Sequence, residues 1–431
     1  MAKTKKLTAQ RKYKLLLQIS QQTRDTFDLV QILNILLDEV KTLVEYDAAG
    51  IFVLNRSVLP PRLQAARQVV AEVVMRNYPL EEQRNRVLRY GEGLVGYAIR
   101  TGECVVIPDV RKDSRYIVGR ASTLSEIDVP IFLGDRPIGA LNLESDHVAA
   151  FSKKDVDILR FFADAAAITI DKAMLHFNLI EKEHFDDQLK TAQAVQAHLL
   201  PSKAPQIPGY DLAGISLPAY QIGGDYYDYI QLPDDRIGLV VADVSGDGLP
   251  AALVMASFRA LLRGFALRDP DPSLIAETIN RMLSDFSGSF DFVTCFYALF
   301  EPHSGLLTYV NCGHNPPIYV QNACQESSTS QALLRSGPAL GMLPGIRYQA
   351  SQFTLGPGDL LLMYTDGIVE ARNAEGEFFD VQRLEALLCQ NAGLPANELI
   401  QSIIQSARQF SGYEVFADDT ALVVLRRNPE A

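Results

Sequence analysis

Four places in the second half of this 431-residue chain put aspartate at the end of an apolar run. Asp225 sits in GGDYYDY, with Asp228 three residues on. Asp243 ends IGLVVAD and is followed by Val244 and then SGDG, which contains Asp247. Asp366 ends LLLMYTD and precedes Gly367, while Asp418 and Asp419 stand just before TALVVL. An aspartate at a strand mouth can turn inward without placing charge in the core, and a neighbouring glycine lets backbone carbonyls approach a ligand. Carboxylates gathered in this way repel one another until a divalent cation joins them. All-oxygen donors favour Mg²⁺ or Mn²⁺ over Zn²⁺. Two such ions about 4 Å apart lower the pKa of a shared water and stabilise charge on transferred oxygens. Asp-Gly is also the commonest turn chemistry, so each place taken singly reads equally as a turn. Four of them in one domain are less readily explained that way.

The rest of the chain must position these acids. Its length predicts two or three domains, and 48 % hydrophobic with 21 % charged residues is globular composition. No apolar stretch approaches the 18 or more residues of a membrane span. The polar N-terminus MAKTKK does not resemble a secretory signal. Five cysteines without CxxC spacing argue against a disulfide scaffold or thiolate zinc site, and the expected location is cytoplasmic. The net charge of −12 divides unevenly: about +2 over residues 1–203 and −14 over 204–431. That acidic half is a poor partner for nucleic acid, so no nucleic-acid partner is expected.

Residues 207–428 alternate short apolar strands with turns: IGLVVADV, FVTCFYALF, LLTYVNCG, PPIYV, SQFTL, DLLLMYTDG and TALVVLR. Helices are predicted near 250–268, 272–286, 381–390 and 396–409. This succession predicts antiparallel sheets with helices outside. QESSTS, from Gln325 to Ser330, reads as a surface loop. Upstream, LVQILNILLDEVKTLV is an amphipathic helix and AAGIFVLN a strand. A loop rich in Pro, Arg and Gln follows. GEGLVGYAIR opens a helix, CVVIPDV is a strand, and IDVPIFLGDRPIGALNLES holds two strands about a Gly134–Pro137 turn. Helix is expected again from Ser152 to about Leu200, ending before Pro201. Between 172 and 199, Phe185, Leu189, Ala192, Gln196 and Leu199 make a weak coiled-coil seam.

Residues 207–428 resemble PP2C-superfamily serine/threonine phosphatases of the RsbU/SpoIIE-like branch. The matching pieces, in family order, are LLPSKAP, IGGDYYDY, VADVSGDGLPAALVMA, FVTCFYALF, YVNCGHNPP, GPALGMLPG, LLLMYTDGIVEARN and FADDTALVV. The resemblance implies an antiparallel β-sandwich flanked by helices, two Mn²⁺ or Mg²⁺ ions, and attack on phosphorus by a metal-activated water. It implies a metal set of Asp225, Asp243, the Val244 carbonyl, Asp366 and Asp418, with catalysis resting on Asp243 and Asp366. Asp228, Asp247 and Asp419 are second-rank acids acting through waters, and His314 in NCGHNPP has either a substrate or a turn-holding role. The implied substrate is a phosphorylated STAS-type (anti-anti-sigma) regulatory protein. Thr420 directly follows Asp419, and Ala421 stands where the family pattern has threonine, which puts the local packing in question. The alternative is a non-catalytic scaffold that captures a phosphoprotein or anti-sigma factor on the same fold.

Residues 25–171 resemble a GAF sensor domain through ILLDEVKTLVEYDAAGIFVLN, GEGLVGYAIRTGECVVIPDVRKD, IDVPIFLGDRPIGALNLES and FSKKDVDILRFFADAAAITI. This implies an antiparallel sheet with helices on one face and a small-molecule pocket on the other. The cyclic-nucleotide signature is incomplete, since Val156 follows Asp155, and the GAF ligand is unknown. The expected whole is a two-domain α+β protein. It comprises a helical segment 1–24, the GAF domain 25–171, a helical linker 172–206 and the phosphatase-like domain 207–431. Homodimerisation is expected through the GAF domain and linker helices.

Overall fold

The computed structural model describes residues 29–54, 69–78, 88–286, 292–321 and 329–429. The expected helical segment 1–24 and positions 325–328 of the QESSTS loop lie outside these residues. The chain divides into two compact units, Met1–Phe185 and Asp186–Ala431.

The first unit is a six-stranded antiparallel sheet of β1 (Ala48–Val53), β2 (Val69–Arg76), β3 (Leu88–Arg89), β4 (Val105–Ile107), β5 (Ser125–Leu133) and β6 (Arg136–Ser145), in the order β3-β2-β1-β6-β5-β4. Leu33, Leu36 and Leu37 of helix Leu29–Lys41, together with Leu159, Phe162 and Ala166 of helix Lys153–Ala197, cover one face. There they bury Ile51, Ile127, Val129, Leu141 and Leu143. Helix Gly93–Thr101 lies on the other face, where Val95 and Ile99 meet Phe52 and Ala140. Strand β2 occupies the end of the stretch read as a loop. Its VVAEVVMR run pairs with β1 across a bulge at Ile51/Phe52. Helix Lys153–Ala197 is one uninterrupted element, so no break marks the expected boundary at 171/172.

The second unit is a four-layer sandwich. Strands β8 (Tyr226–Gln231), β9 (Ile237–Val244), β10 (Val293–Glu301), β11 (Leu306–Cys312) and β14 (Ser351–Thr354) form one sheet, in the order β14-β11-β10-β9-β8. Strands β7 (Tyr210–Leu217), β12 (Ile318–Gln321), β13 (Thr329–Ala332), β15 (Leu360–Tyr364) and β16 (Thr420–Arg427) form the other, in the order β13-β12-β15-β16-β7. Alternate residues point to opposite faces and both faces are covered, so the strands read as unbroken apolar runs. On β9, Leu239 and Val241 meet Phe296, Met363 and Val423 between the sheets. Val240 and Ala242 face the other way, under Met255, Phe258 and Leu262 of helix Gly248–Arg268 and Ile279 of helix Pro272–Phe286. Helices Asp380–Asn391 and Ala396–Ser411 cover the second sheet through Leu384, Leu388, Leu399 and Ile403. Strands β7, β8 and β13 add to the predicted set, and β13 takes Thr329 and Ser330 of the expected loop.

Among the described residues, helix Gly248–Arg268 alone is long and apolar enough to cross a membrane. Its Ala251, Met255, Phe258, Leu262 and Ala266 are buried in the domain core, which marks it as a core helix.

Candidate metal centre

The acids converge because the strands that carry them end at one edge of the sandwich. Asp243 lies in the last turn of β9, across from Thr294 of β10. Asp366 follows β15 and opens the short helix Asp366–Val369. Asp418 and Asp419 immediately precede β16, which pairs with β15. Asp225 immediately precedes β8, the neighbour of β9.

Their charges perturb one another. Asp243 is pushed up to about 7, by burial first and then by Asp366, Asp418, Asp419 and Asp247. Asp366 is raised to about 6, by burial and then by Asp418 and Glu370. Asp225 goes well above the carboxylate range, through burial and then Asp243, while a hydrogen bond from Thr365 opposes the shift. Burial also raises Asp418, which is the exposed member of the group. This is the behaviour of carboxylates pressed together without a compensating cation. Lys is absent from residues 204–431.

Backbone close approach builds the floor. A Cβ on Gly224 would lie 2.9 Å from the Val244 carbonyl oxygen, and one on Gly223 would lie 2.2 Å from the Asp419 carboxylate. Glycine alone lets these loops meet. Asp419 accepts hydrogen bonds from the Gly224 N–H at 2.6 Å and the Ala219 N–H at 2.8 Å, so it clasps the first glycine loop. The Thr365 hydroxyl donates to Asp225 at 2.6 Å and accepts from the Ala421 N–H at 2.7 Å. That bridge ties Asp225 to β16, and Ala421 itself is buried between the sheets.

Two of the expected second-rank acids are placed differently from the rest. Asp228 is buried on β8 and held by Arg263, at 2.6 and 2.9 Å, and by the Tyr226 hydroxyl at 2.5 Å. The structure does not gather it with the other acids, because Arg263 on the outer helix claims its charge. Asp247 is exposed at the N-cap of helix Gly248–Arg268. His314 is buried. Its Nδ1 lies 2.8 Å from the Thr294 hydroxyl, and its backbone N–H donates to Asn311 Oδ1. Burial lowers its pKa to about 4, which leaves the imidazole neutral at pH 7.

Sequence reasoning missed three contributors. Thr365 was hidden inside a strand motif. Glu370 adds to the field around Asp366 and Asp418. Gln196 read as a weak seam position, yet its Nε2 donates to the Gly223 carbonyl at 2.6 Å and its Oε1 accepts from the Gly223 N–H at 3.2 Å. It lines a cavity of about 160 Å³ with Gln193, Leu200, Ser216, Pro218 and Asp225.

The donor set fits hard divalent cations, because every group is a carboxylate or carbonyl oxygen and the mutual repulsion calls for positive charge. Among the described residues no three such side chains are yet closed to ligand distances, so the arrangement is gathered but open. A pH dependence follows. The folded chain without ions holds protons on Asp243 and Asp366 that the unfolded chain releases near pH 4, so these groups cost stability as pH rises from about 4 to 7. In EDTA, Asp243→Asn is expected to melt above the native protein at pH 8, by on the order of 2 kcal/mol, and nearly level with it near pH 4. Thermal melts at the two pH values check this; a gap that widened on acidification would contradict it.

Residues 233–428 match the stage II sporulation protein E (SpoIIE) family, and residues 28–170 match the GAF domain family. The chain is 30 % identical over 246 residues to phosphoserine phosphatase RsbU of Bacillus subtilis, covering 57 % of this chain and 72 % of that protein. Protein IcfG of Synechocystis is 28 % identical over 268 residues, with 42 % of its length covered. Phosphoserine phosphatase RsbP of B. subtilis is 25 % identical over 210 residues, with 49 % covered. The chain thus spans less than half of these last two relatives. The SiaA PP2C domain of Pseudomonas aeruginosa shares the fold of the second unit, with a TM-score of 0.51 at 20 % identity, covering 57 % of this chain and 98 % of that one. The fold and the acidic edge define a PP2C-type phosphatase unit. The chain belongs to the RsbU-like branch of the SpoIIE family of phosphatases and carries a GAF domain ahead of that unit.

Proposed function

We propose that the protein hydrolyses phosphoserine or phosphothreonine on a small STAS-type regulatory protein, under control of its GAF domain. The convergence of Asp225, Asp243, Asp366 and Asp418 at one edge of the sandwich carries this reading, since carboxylates raised by burial and then by one another call for cations where a phosphate ester would sit. Those four carboxylates and the Val244 carbonyl would hold two Mn²⁺ or Mg²⁺ ions. When bound, the ions would activate a water and offset charge on the phosphoryl oxygens. Asp419 and Thr365 keep the ligand loops in register, and Asp247 and Glu370 add negative field at the exposed rim. His314 is buried, bonded to Thr294 and neutral, which favours the turn-holding role. Serine is the expected target because the RsbU relative is named a phosphoserine phosphatase.

The test is release of phosphate from a kinase-phosphorylated STAS protein with Mn²⁺ and with EDTA. Release that needs Mn²⁺ supports the reading. Binding of the phosphoprotein without release in either condition would instead support the scaffold alternative.

Regulation would reach the site through Gln196, which grips the glycine loop preceding Asp225 from the last turn of the long helix. Gln196→Ala is expected to raise the Mn²⁺ concentration for half-maximal activity by about 10-fold, with turnover restored at saturating Mn²⁺. An unchanged Mn²⁺ titration would remove Gln196 from this role. Ile168, Leu175 and Leu179 are exposed upstream on the same helix, and they are the residues proposed to pair in a homodimer. The seam residue Gln196 is engaged within the phosphatase unit, and Leu199 lies beyond the helix end. A cytoplasmic location and the absence of a nucleic-acid partner remain part of this proposal, the latter resting on the −14 charge of residues 204–431.

A further inference from the structure

The GAF sheet carries buried negative charge on the face turned away from its main core. Along β5, Ile127, Val129 and Ile131 enter that core, so the alternate residues Glu126 and Asp128 face the other side. Along β6, Leu141 and Leu143 enter the core, and Asn142 and Glu144 face outward from it. The register sets Glu126 opposite Glu144 and Asp128 opposite Asn142. All four are buried, with exposures of 4 %, 4 %, 0 % and 1 %. Like charges directly opposite on neighbouring strands oppose pairing, and buried carboxylates are costly unless compensated.

Compensation inside the described residues is incomplete. The Asn142 amide donates to Glu126 Oε1 and to Asp128 Oδ1, each at 2.9 Å. Glu144 accepts from the Tyr78 hydroxyl at 2.7 Å and from the Thr123 hydroxyl. Arg120 lies 3.8 Å from Glu144 and is also paired with Asp146. Asp128 is wholly buried, yet its Oδ2 has no hydrogen-bond partner. The Tyr116 hydroxyl is likewise buried. Burial and then Glu144 and Glu126 push the Tyr116 pKa up to about 12, which places the phenol beside the same carboxylates.

The walls are apolar. Val105 and Ile107 of β4 sit opposite Asp128 and Glu126. They pack with Leu94, Ala98, Tyr97 and Tyr116. We propose that the Glu126–Asp128–Glu144 block binds the ammonium group of a small primary amine whose aliphatic body lies against this apolar wall. An ammonium brings one positive charge with three N–H donors, which matches an orphaned carboxylate oxygen beside further acids. A metal ion fits less well, because the Asn142 N–H donors already point at the oxygens between the two acids. Burial, followed by opposition from the neighbouring carboxylates, holds Glu126 well above the usual range, and burial raises Asp128 to about 7. Binding of the amine therefore releases protons as well as offsetting charge.

The test is a thermal melt of the full chain in EDTA, with n-butylamine, n-butanol or butyrate at millimolar concentration. Butylamine is expected to give a saturable rise of about 3 °C, with no rise from butanol or butyrate. Asp128→Asn should abolish that rise and leave the ligand-free protein at least as stable; Glu126→Gln provides a second isosteric arm. Absence of a saturable amine response, or an equal response in both variants, would overturn the proposal. The readout is binding, so its outcome is separate from that of the phosphate-release assay.

Discussion

Asp243→Asn is expected to lower Mn²⁺-dependent phosphate release by about 10³-fold or more, which corresponds to roughly 4 kcal/mol of transition-state stabilisation. The size follows from position. Asp243 is the acid whose charge is felt together with those of Asp366, Asp418, Asp419 and Asp247, so it stands at the middle of the group. Asparagine keeps the shape and removes the charge. The ion-free fold should not suffer, because the variant relieves repulsion that the native carboxylate suffers. A loss of activity with unimpaired melting in EDTA therefore separates a missing ligand from a damaged domain. Asp366→Asn should behave alike, since burial and Asp418 raise Asp366 as they raise Asp243. Retention of full Mn²⁺-dependent turnover by both variants would refute the assignment of these acids to the reaction.

Gly367→Ala is expected to cost about 3 kcal/mol of stability, a fall of roughly 8 °C in melting temperature, together with most of the activity. A Cβ at this position would lie 2.0 Å from the Asp419 carbonyl oxygen and 2.6 Å from Thr420 Oγ1. The obstacle is backbone at the start of β16, which cannot swing aside as a side chain can. Either Asp366 or the Asp418–Asp419 pair must move, and with it the acidic edge. Gly264→Ala is the control. It lies inside helix Gly248–Arg268 with nothing within 4 Å of the added carbon, so alanine there should stabilise by up to about 1 kcal/mol. Similar melting of the two variants would show that close approach at Gly367 does not govern the site.

Much of the sandwich was legible because burial on both faces writes an unbroken apolar run, as in IGLVVADV and TALVVLR. The helices over the sheets were legible from apolar residues three and four apart on the one face they bury. What escaped notice depended on distant partners. YYDYIQ carries an aspartate inside a buried strand, which makes sense only once Arg263, 35 residues away, is seen to neutralise it. YDLAGISL is half-buried throughout and contains Gly214, so its pattern is faint until β16 pairs with it. The acids at the strand ends were visible as residue types, but the bridge from Thr365 to Asp225 spans 140 positions, and no local pattern announces it. In the first unit, EID and NLE looked like strand residues, and only the register brought Glu126, Asp128 and Glu144 into one buried block.

The clasp between Asp419 and Ala219 joins residues 200 positions apart, and β7 finds its sheet partner only in β16. Ribosomes make chains from the N-terminus, so the glycine loop around Asp225 leaves the tunnel well before anything can fasten it. A chain stopped before residue 366 would lack Asp366, Asp418 and Asp419, and with them half of the acidic edge. Such long-range closure also predicts slow maturation, because the entropy of a large loop must be lost before any contact repays it. The acidic edge is thus complete only after the final strand has docked.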